Sequence, residues 1–475
     1  MTGRRAAAAA CAGLLLLSGC TSFADTLAAE DDAAAPTADP GGVSCPADRA
    51  RPDPDRPRVD LAFRLDDDLR TVTGSETVTF IPDLPVERLV FRLTPNSPDS
   101  AAAGNRLEVD RVRGDDVAGG RYDDAGAAAP GGLYLVGLDE ELPAGKPTRV
   151  VLDFTLSLGK ASFDRVGTDE GVSWWASGAP LLSWEPGVGW AEDPFVRING
   201  ETTTSPASDT TVEVSAPEDL TVLMTGAQSE PSAARNGRRT WTSAEPAARD
   251  VSVAAGKFTT DARTTPDGVR VTTGVLPGAD VDAARLGTWT VAAIAALEER
   301  FGPFPYRTLT VPFLGDYGGG IEYPGSILLA TPSRSVLVHE VAHMWFYGMV
   351  GNSQFRDPWL DEAFATYAEA LEDSTSAAVL APALGVGGEV GAAMDEFPSF
   401  RRYSAVVYGK GSAALLAARK AAGDAAFDAA VRCYVDANAW TIATPGDLRA
   451  ALDDLPAAVG VLDRAHALGK DDAPR

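Results

Sequence analysis

Between residue 59 and about residue 258 the chain alternates apolar and polar positions in short runs. VDLAFRLDDD, TVTGSETVTFI, ERLVFRLTP, TRVVLDFTLSL, DTTVEVSAP and LTVLMTG are separated by turn formers. Successive side chains of an extended strand point to opposite faces, so a period of two predicts strands with one buried face. Many such strands in series make an all-β region, either a sandwich or a saddle-shaped sheet. One stretch breaks the rhythm: around residues 172–186, Trp174, Trp175 and Trp184 stand near carboxylates. These rings are either core where the sheet meets the next part of the chain or the wall of a pocket.

Past residue 259 the period lengthens. DAARLGTWTVAAIAALEERFG has apolar residues at helical spacing and meets a stop at Gly302-Pro303. Tyr306 to Leu314 reads as an apolar strand, and a glycine-rich run carrying Glu322 follows it. The segment around VLVHEVAH is the next helix. WLDEAFATYAEA is another, with Leu360, Ala363, Phe364 and Tyr367 on one face. From Tyr408 onward the chain is alanine-rich and helical. The predicted architecture is therefore multidomain: an N-terminal all-β domain over residues 58–258 and an α+β domain over residues 259–475.

Residues 1–19 carry two arginines and an Ala/Leu run too short to span a bilayer, ending in Leu17-Ser18-Gly19 before Cys20. This is a secretory signal with a lipobox-like end, which predicts lipidation of Cys20 and attachment to a membrane outside the cytoplasm. Residues 20–57 are rich in Ala, Asp, Pro and Gly and read as a disordered tether. The net charge of −26 argues against nucleic acid as a partner. Of four cysteines, Cys11 falls in the signal and Cys20 at the lipobox. Cys45 and Cys433 remain, too few for a cysteine-type metal site and able to pair in an oxidising compartment.

The chemistry centres on His339-Glu340-Val341-Ala342-His343. Two histidines four apart on a helix share a face and can meet one Zn2+. Glu340 then lies beside the metal, placed to hold its water. Glu362, with eighteen residues between it and His343, is the candidate third protein ligand. Three protein ligands leave a fourth position for water, the arrangement of a catalytic zinc. A zinc-bound water is available as hydroxide near neutral pH, and Glu340 can take its proton and pass it to a leaving nitrogen. Asp361 or Thr366 is a candidate acceptor for the second N–H of a ligand histidine. Met344, Trp345 and Phe346 read as core, and His466 as surface.

The run HEVAHMWFYGMVGN…PWLDEAFATY resembles the gluzincin aminopeptidases of the aminopeptidase N type. Gly318 to Gly325 (GGGIEYPG) is similar to that family's Gly-x-Met-Glu-Asn strand, with Ile for Met and Tyr for Asn. Tyr408-Gly409-Lys410-Gly411 resembles its Tyr-x-Lys-Gly segment. The resemblance implies an N-terminal sheet whose final strand runs through residues 248–258, followed by a thermolysin-like zinc-peptidase domain. It assigns Tyr408 to the oxyanion, with Tyr403 as competitor, and Glu322 to the substrate's amino group beside Gly319 and Gly320. It implies one Zn2+ per chain and peptide substrates. The large helical C-terminal domain of longer relatives finds no counterpart in the sequence given. Nor does any residue match the family's second amino-group anchor; Asp169, Glu170 and Glu185 are only near the expected place. Two other readings stay open, an endopeptidase or other zinc hydrolase with the same centre, and a non-catalytic surface binding protein that kept the fold.

Overall fold

The computed structural model describes residues 48–160, 163–198 and 204–469. The alternation in the first half produces strands as expected. In Arg58–Leu65, Leu61, Phe63 and Leu65 are buried while Arg58, Asp60 and their like face solvent. This strand pairs antiparallel with Thr71–Phe80 and parallel with Ser208–Pro217. They lie inside a seven-stranded sheet that runs from Ala227–Gln228 at one edge to Arg106–Gly114 at the other. Two four-stranded sheets accompany it, one around Val86–Arg92 and Leu133–Leu142, the other around Val172–Ala176 and Ser252–Gly256. Phe63, Phe154, Trp175, Val214 and Val253 share one core between them.

The tryptophan stretch breaks the alternation because its strand is covered on both faces. All five residues of Val172–Ala176 are buried. Trp175 turns into the β core, with its ring 5.9 Å from Phe63. Trp174 turns the other way, into a separate cluster with Phe258, Tyr323 and Leu328. A strand buried on both faces loses its polar positions, which is why the period vanished. Trp184 is likewise buried, so the three rings are core and not a pocket wall.

The second half is built on a five-stranded sheet ordered Thr259–Thr264, Arg270–Val275, Thr308–Phe313, Ser326–Leu329, Gly320–Tyr323. Helix Ala283–Phe301 crosses between the parallel strands Arg270–Val275 and Thr308–Phe313. Asp282 caps its start by accepting from the Arg285 amide, and Gly302, at φ +89°, ends it. Helices Arg334–Ala342, Trp359–Glu372, Gly411–Ala422, Asp424–Ala437 and Pro456–Arg464 pack around Trp345, Trp359, Phe364 and Tyr434. Among the described residues no helix is long and apolar enough to cross a membrane. Cys433 is disulfide-bonded; Cys45, the partner weighed from sequence, lies outside the described residues, as do Cys20 and the signal.

Arg249 joins the two halves. It lies just before strand Ser252–Gly256, only 5% exposed. Its guanidinium donates to four carbonyls: Tyr347 at 3.1 Å, Ser205 at 2.8 Å, Met349 at 3.3 Å, and Thr441. Tyr347 and Met349 belong to the loop after His343, and Tyr347 sits at φ +102°, a costly conformation for a residue with a Cβ. Gly351 is obligatory beside it, since a Cβ there would come within 2.4 Å of the guanidinium carbon.

Candidate metal centre and active site

Helix Arg334–Ala342 starts at Ser333, whose hydroxyl accepts from the Val336 amide, and buries Leu337, Val341 and Ala342 against the core. That orientation turns His339 and His343 together toward the sheet's edge strand, Gly320–Tyr323. His343 is the residue that closes the helix, and it still keeps the helical bond to His339 at 3.3 Å. Helix Trp359–Glu372 buries Leu360, Ala363, Phe364 and Tyr367, the face expected from sequence, and presents Glu362 in its first turn.

The three candidate ligands converge. His339 Nε2 and His343 Nε2 are 3.2 Å apart, and Glu362 Oε2 lies 3.3 Å from the first and 3.4 Å from the second. Zinc bonds of about 2.0–2.1 Å in a tetrahedron separate ligand atoms by about 3.3–3.4 Å, so the triangle has the edges of one tetrahedral face. Glu362 Oε2 is buried and accepts no hydrogen bond. Its other oxygen accepts from the Tyr408 hydroxyl at 2.5 Å. Three donors of the right type and spacing, one of them orphaned, fit a zinc ion.

The supporting groups differ from expectation. His343 Nδ1 donates to the Phe346 carbonyl at 3.2 Å, which leaves Nε2 with its lone pair toward the metal position. For His339 the nearby carboxylate is Glu369, whose Oε2 is 3.8 Å from Nδ1. Neither Asp361 nor Thr366 plays the part weighed for them. Asp361 accepts from the Glu362 amide at 2.6 Å and from Gln354 at 3.4 Å, and the Thr366 hydroxyl has no hydrogen-bond partner.

Glu340 is 4% exposed, and its carboxylate fits against Gly320, where a Cβ would stand 2.7 Å from Glu340 Cγ. The space left by Gly320 is thus filled by the Glu340 side chain. Gly319, at φ +87°, has open space where a side chain would be. Glu322, also 4% exposed, places Oε1 3.9 Å from His343 Nδ1 without a hydrogen bond. Glu322, Glu362, Tyr408, Gly320 and Arg165 line one cavity of about 330 Å³. Arg165 donates to the Tyr323 hydroxyl at 2.8 Å.

Tyr408 sits in a six-residue π-helical segment, Ala405–Lys410, that runs into Gly411–Ala422. Its ring lies parallel to that of His339 at 6.1 Å. Gly411 lets this segment approach the Glu362 helix, since a Cβ would stand 2.7 Å from that of Ala363. Tyr403 is fully buried with its hydroxyl unpartnered, and does not line the cavity. Of the acids considered as a second amino anchor, Glu185 is paired with Arg356 and Asp169 accepts from Tyr317. Glu170 lies on the wall of a different cavity. His466 is exposed.

The electrostatics are those of a site made for positive charge. Burial pulls His343 down, but Glu322 and then Glu362 outweigh it and hold the imidazole well above its ordinary value. Burial opposes ionisation of Glu362, yet the two histidines beside it bring it well below the usual carboxylate range. Burial pushes Glu340 up to about 7.

Comparison with known proteins agrees with this geometry. Residues 329–379 match the model of the Peptidase family M1 domain. Aminopeptidase B of Mus musculus is 30% identical over 119 residues, a match covering 20% of this chain and 18% of that protein. Aminopeptidase N of Streptomyces lividans is 53% identical over 36 residues, 8% of this chain and 4% of its own. The curated relatives are thus matched over less than a fifth of their length. The structural likeness is far more extensive. The crystal structure of the M1 zinc metallopeptidase from Deinococcus radiodurans covers 92% of this chain and 99% of its own at TM-score 0.64 and 20% identity. A variant of the Deinococcus radiodurans enzyme bound to a Tyr-Ser-Ala substrate covers 89% and 95% at TM-score 0.63 and 19% identity. A two-domain M1 zinc metallopeptidase variant bound to L-tryptophan covers 92% and 99% at TM-score 0.65 and 20% identity. The fold is that of the two-domain M1 zinc metallopeptidases, a β-rich region followed by an α+β zinc-peptidase region. The resemblance carried by HEVAH and its flanks is borne out, and Zn2+ with it; His339, His343 and Glu362 form a group able to hold a metal ion.

Proposed function

We propose that the chain is a zinc-dependent aminopeptidase that removes residues from the amino termini of peptides outside the cytoplasm. The observation that carries this reading is Glu322, a buried carboxylate with an unpartnered oxygen on the wall of the cavity that also holds Glu362 and Tyr408. A free α-ammonium is a group that satisfies such a carboxylate. An internal peptide segment, with no charge to offer, leaves it unpaired at a cost. The likeness to proteins named aminopeptidases supports the same reading.

Bound between His339, His343 and Glu362, zinc supplies a Lewis acid and lowers the pKa of a water. Glu340 takes the proton of the attacking water and delivers it to the leaving nitrogen. The Tyr408 hydroxyl is a donor beside the ligand carboxylate, placed to meet negative charge that develops on the substrate carbonyl oxygen. Glu322 fixes where the amino terminus lies and therefore which peptide bond faces Glu340.

The location rests on the sequence of residues 1–20, with lipidated Cys20 as the anchor. Metabolic labelling with a radioactive fatty acid checks it: Cys20→Ser should abolish the label.

The activity is tested by comparing a free peptide with its amino-acetylated twin. Wild type should cleave the free form far faster. Glu322→Ala should lower kcat/KM on the free peptide by about 10- to 150-fold, the size of a lost charged contact. Equal cleavage of both peptides by wild type would hand the reading to an endopeptidase. Glu340→Gln should keep zinc and lose about 10²–10⁴-fold in kcat.

A further inference from the structure

The β-rich half carries an acid in an apolar place. In strand Thr71–Phe80, Val72, Val78 and Phe80 are buried on the inner face, and Glu76 takes an inward position among them, 2% exposed. Its partners in register on the two neighbouring strands are Leu61 and Leu152. Glu76 Oε2 accepts no hydrogen bond, a costly state for a buried carboxylate. It lines a cavity of about 30 Å³, roughly two water-sized positions. This cavity shares no lining residue with the one that holds Glu362 and Tyr408. Asp250, itself buried, lines it too, along with Ser208, Thr210 and Arg249.

The lining offers acceptors and little else. The Ser208 hydroxyl donates to the Pro206 carbonyl at 3.2 Å, and the Thr210 hydroxyl to the Ser208 carbonyl at 3.4 Å. Each therefore has only lone pairs left for the cavity. Among the described lining residues Arg249 alone is cationic, and its guanidinium is engaged by four backbone carbonyls. Two carboxylates against one guanidinium leave one negative charge. Burial, and then the charge of Asp250, push the Glu76 carboxyl well above the usual carboxylate range. The missing positive charge is thus supplied by a proton or by a bound cation. A proton meets one acceptor, whereas a cation is met by several oxygens at once.

We propose that this cavity is a binding site for one monovalent alkali cation, of the size of Na+, held between the carboxylates of Glu76 and Asp250. Oxygen donors without sulfur or imidazole suit a hard ion. The net charge of the lining calls for a single positive charge. The ion lies beside Asp250, the residue after Arg249, and so firms the strand end from which Arg249 reaches the loop after His343. Its role is structural, and the site does not rest on the peptidase reading.

The test is thermal unfolding of the zinc-loaded full-length chain in mixtures of NaCl and choline chloride at constant ionic strength, which keeps charge screening fixed. Choline is too large for the cavity. Wild-type Tm should rise by about 1–2 °C per tenfold increase in Na+ once the site fills. Glu76→Gln keeps the shape and removes the charge, and its Tm should be flat against Na+. Thr210→Val removes one oxygen and leaves both carboxylates, so it should need about tenfold more Na+ for the same shift. Zinc content equal to wild type reports that each variant folds. The sodium NMR line should broaden with wild type and not with Glu76→Gln. Equal wild-type Tm in the two salts overturns the proposal and leaves Glu76 with a proton. A sodium response that Glu76→Gln retains puts the ion elsewhere and overturns it as well. If Glu76→Gln does not fold, Thr210→Val decides, and an unshifted sodium response in it overturns the site.

Discussion

Tyr408 and Glu362 share a hydrogen bond of 2.5 Å, in which the phenol donates to Oε1 and leaves Oε2 to face both histidines. The bond fixes which carboxylate oxygen the metal receives, and it stations the tyrosine proton at the edge of the metal position. Burial and then the Glu362 charge hold the Tyr408 hydroxyl well above its ordinary pKa, so it stays a donor across the working pH range.

Tyr408→Phe should therefore retain zinc and lose about 10²–10³-fold in kcat, the scale of one oxyanion donor. Tyr403→Phe removes a buried hydroxyl that has no partner, and should be neutral or slightly stabilising with activity almost unchanged. Kinetics and zinc content of the two variants separate the competing tyrosines. The reverse pattern would move the catalytic role to Tyr403.

The ligand triangle predicts a graded loss of metal. Glu362→Ala removes one of three protein ligands and should come out of purification largely zinc-free. Glu369→Gln leaves all three but takes the carboxylate from beside His339 Nδ1. Its zinc affinity, measured against a competing chelator, should drop by about 10- to 100-fold. An unchanged affinity would show that the 3.8 Å approach does nothing for the metal.

Glu245 predicts a pH dependence of stability. It is 6% exposed, and burial pushes its carboxyl up to about 8, against an ordinary 4.5, with Arg307 opposing only in part. Between those two values the folded chain holds a proton that the unfolded chain has released. Stability from this group is thus full below about pH 4.5 and is lost as pH rises toward 8. Glu245→Gln mimics the protonated form without titrating. It should gain on wild type by more than about 2 kcal/mol between pH 5 and pH 8 in urea unfolding. Parallel pH profiles would mean that Glu245 folds in its charged form.

Arg249→Met should cost about 2–4 kcal/mol, since it strands several carbonyls in the interior. Thermal unfolding of the zinc-loaded variant measures this, and a change below about 0.5 kcal/mol would mean water takes over the guanidinium's bonds.

The parts of the site that were legible in the sequence are those with fixed local spacing. His339 and His343 are one helical turn apart. Glu362 announces itself because its helix has a clear apolar face. Other assignments depended on which distant chain lies alongside. Glu185 lies near the place expected for a second amino anchor, but Arg356 from the second half of the chain takes its charge. Glu369 was overlooked although it shares a helix face with Glu362, seven residues on, because nothing in the sequence says that His339 lies above it. Arg249 read as an ordinary strand residue because its partners are backbone carbonyls, which carry no signature in sequence. The two-faced strand Val172–Ala176 hid its alternation for a related reason: its second apolar face is completed by Tyr323 and Leu328, about 150 residues away.

The Arg249 tie bears on modularity. One ring nitrogen of His343 is oriented by the Phe346 carbonyl, and the next carbonyl along, that of Tyr347, is gripped by an arginine from the β-rich half. The catalytic half on its own would keep every residue of the metal motif and still lose the outside hand that steadies one of them. A fragment starting at residue 259 should thus bind zinc less firmly than the full chain, and swapping β-rich halves between relatives should succeed only where an equivalent of Arg249 comes along. The partition that looks like scaffold and engine is, at this one loop, a single piece of machinery.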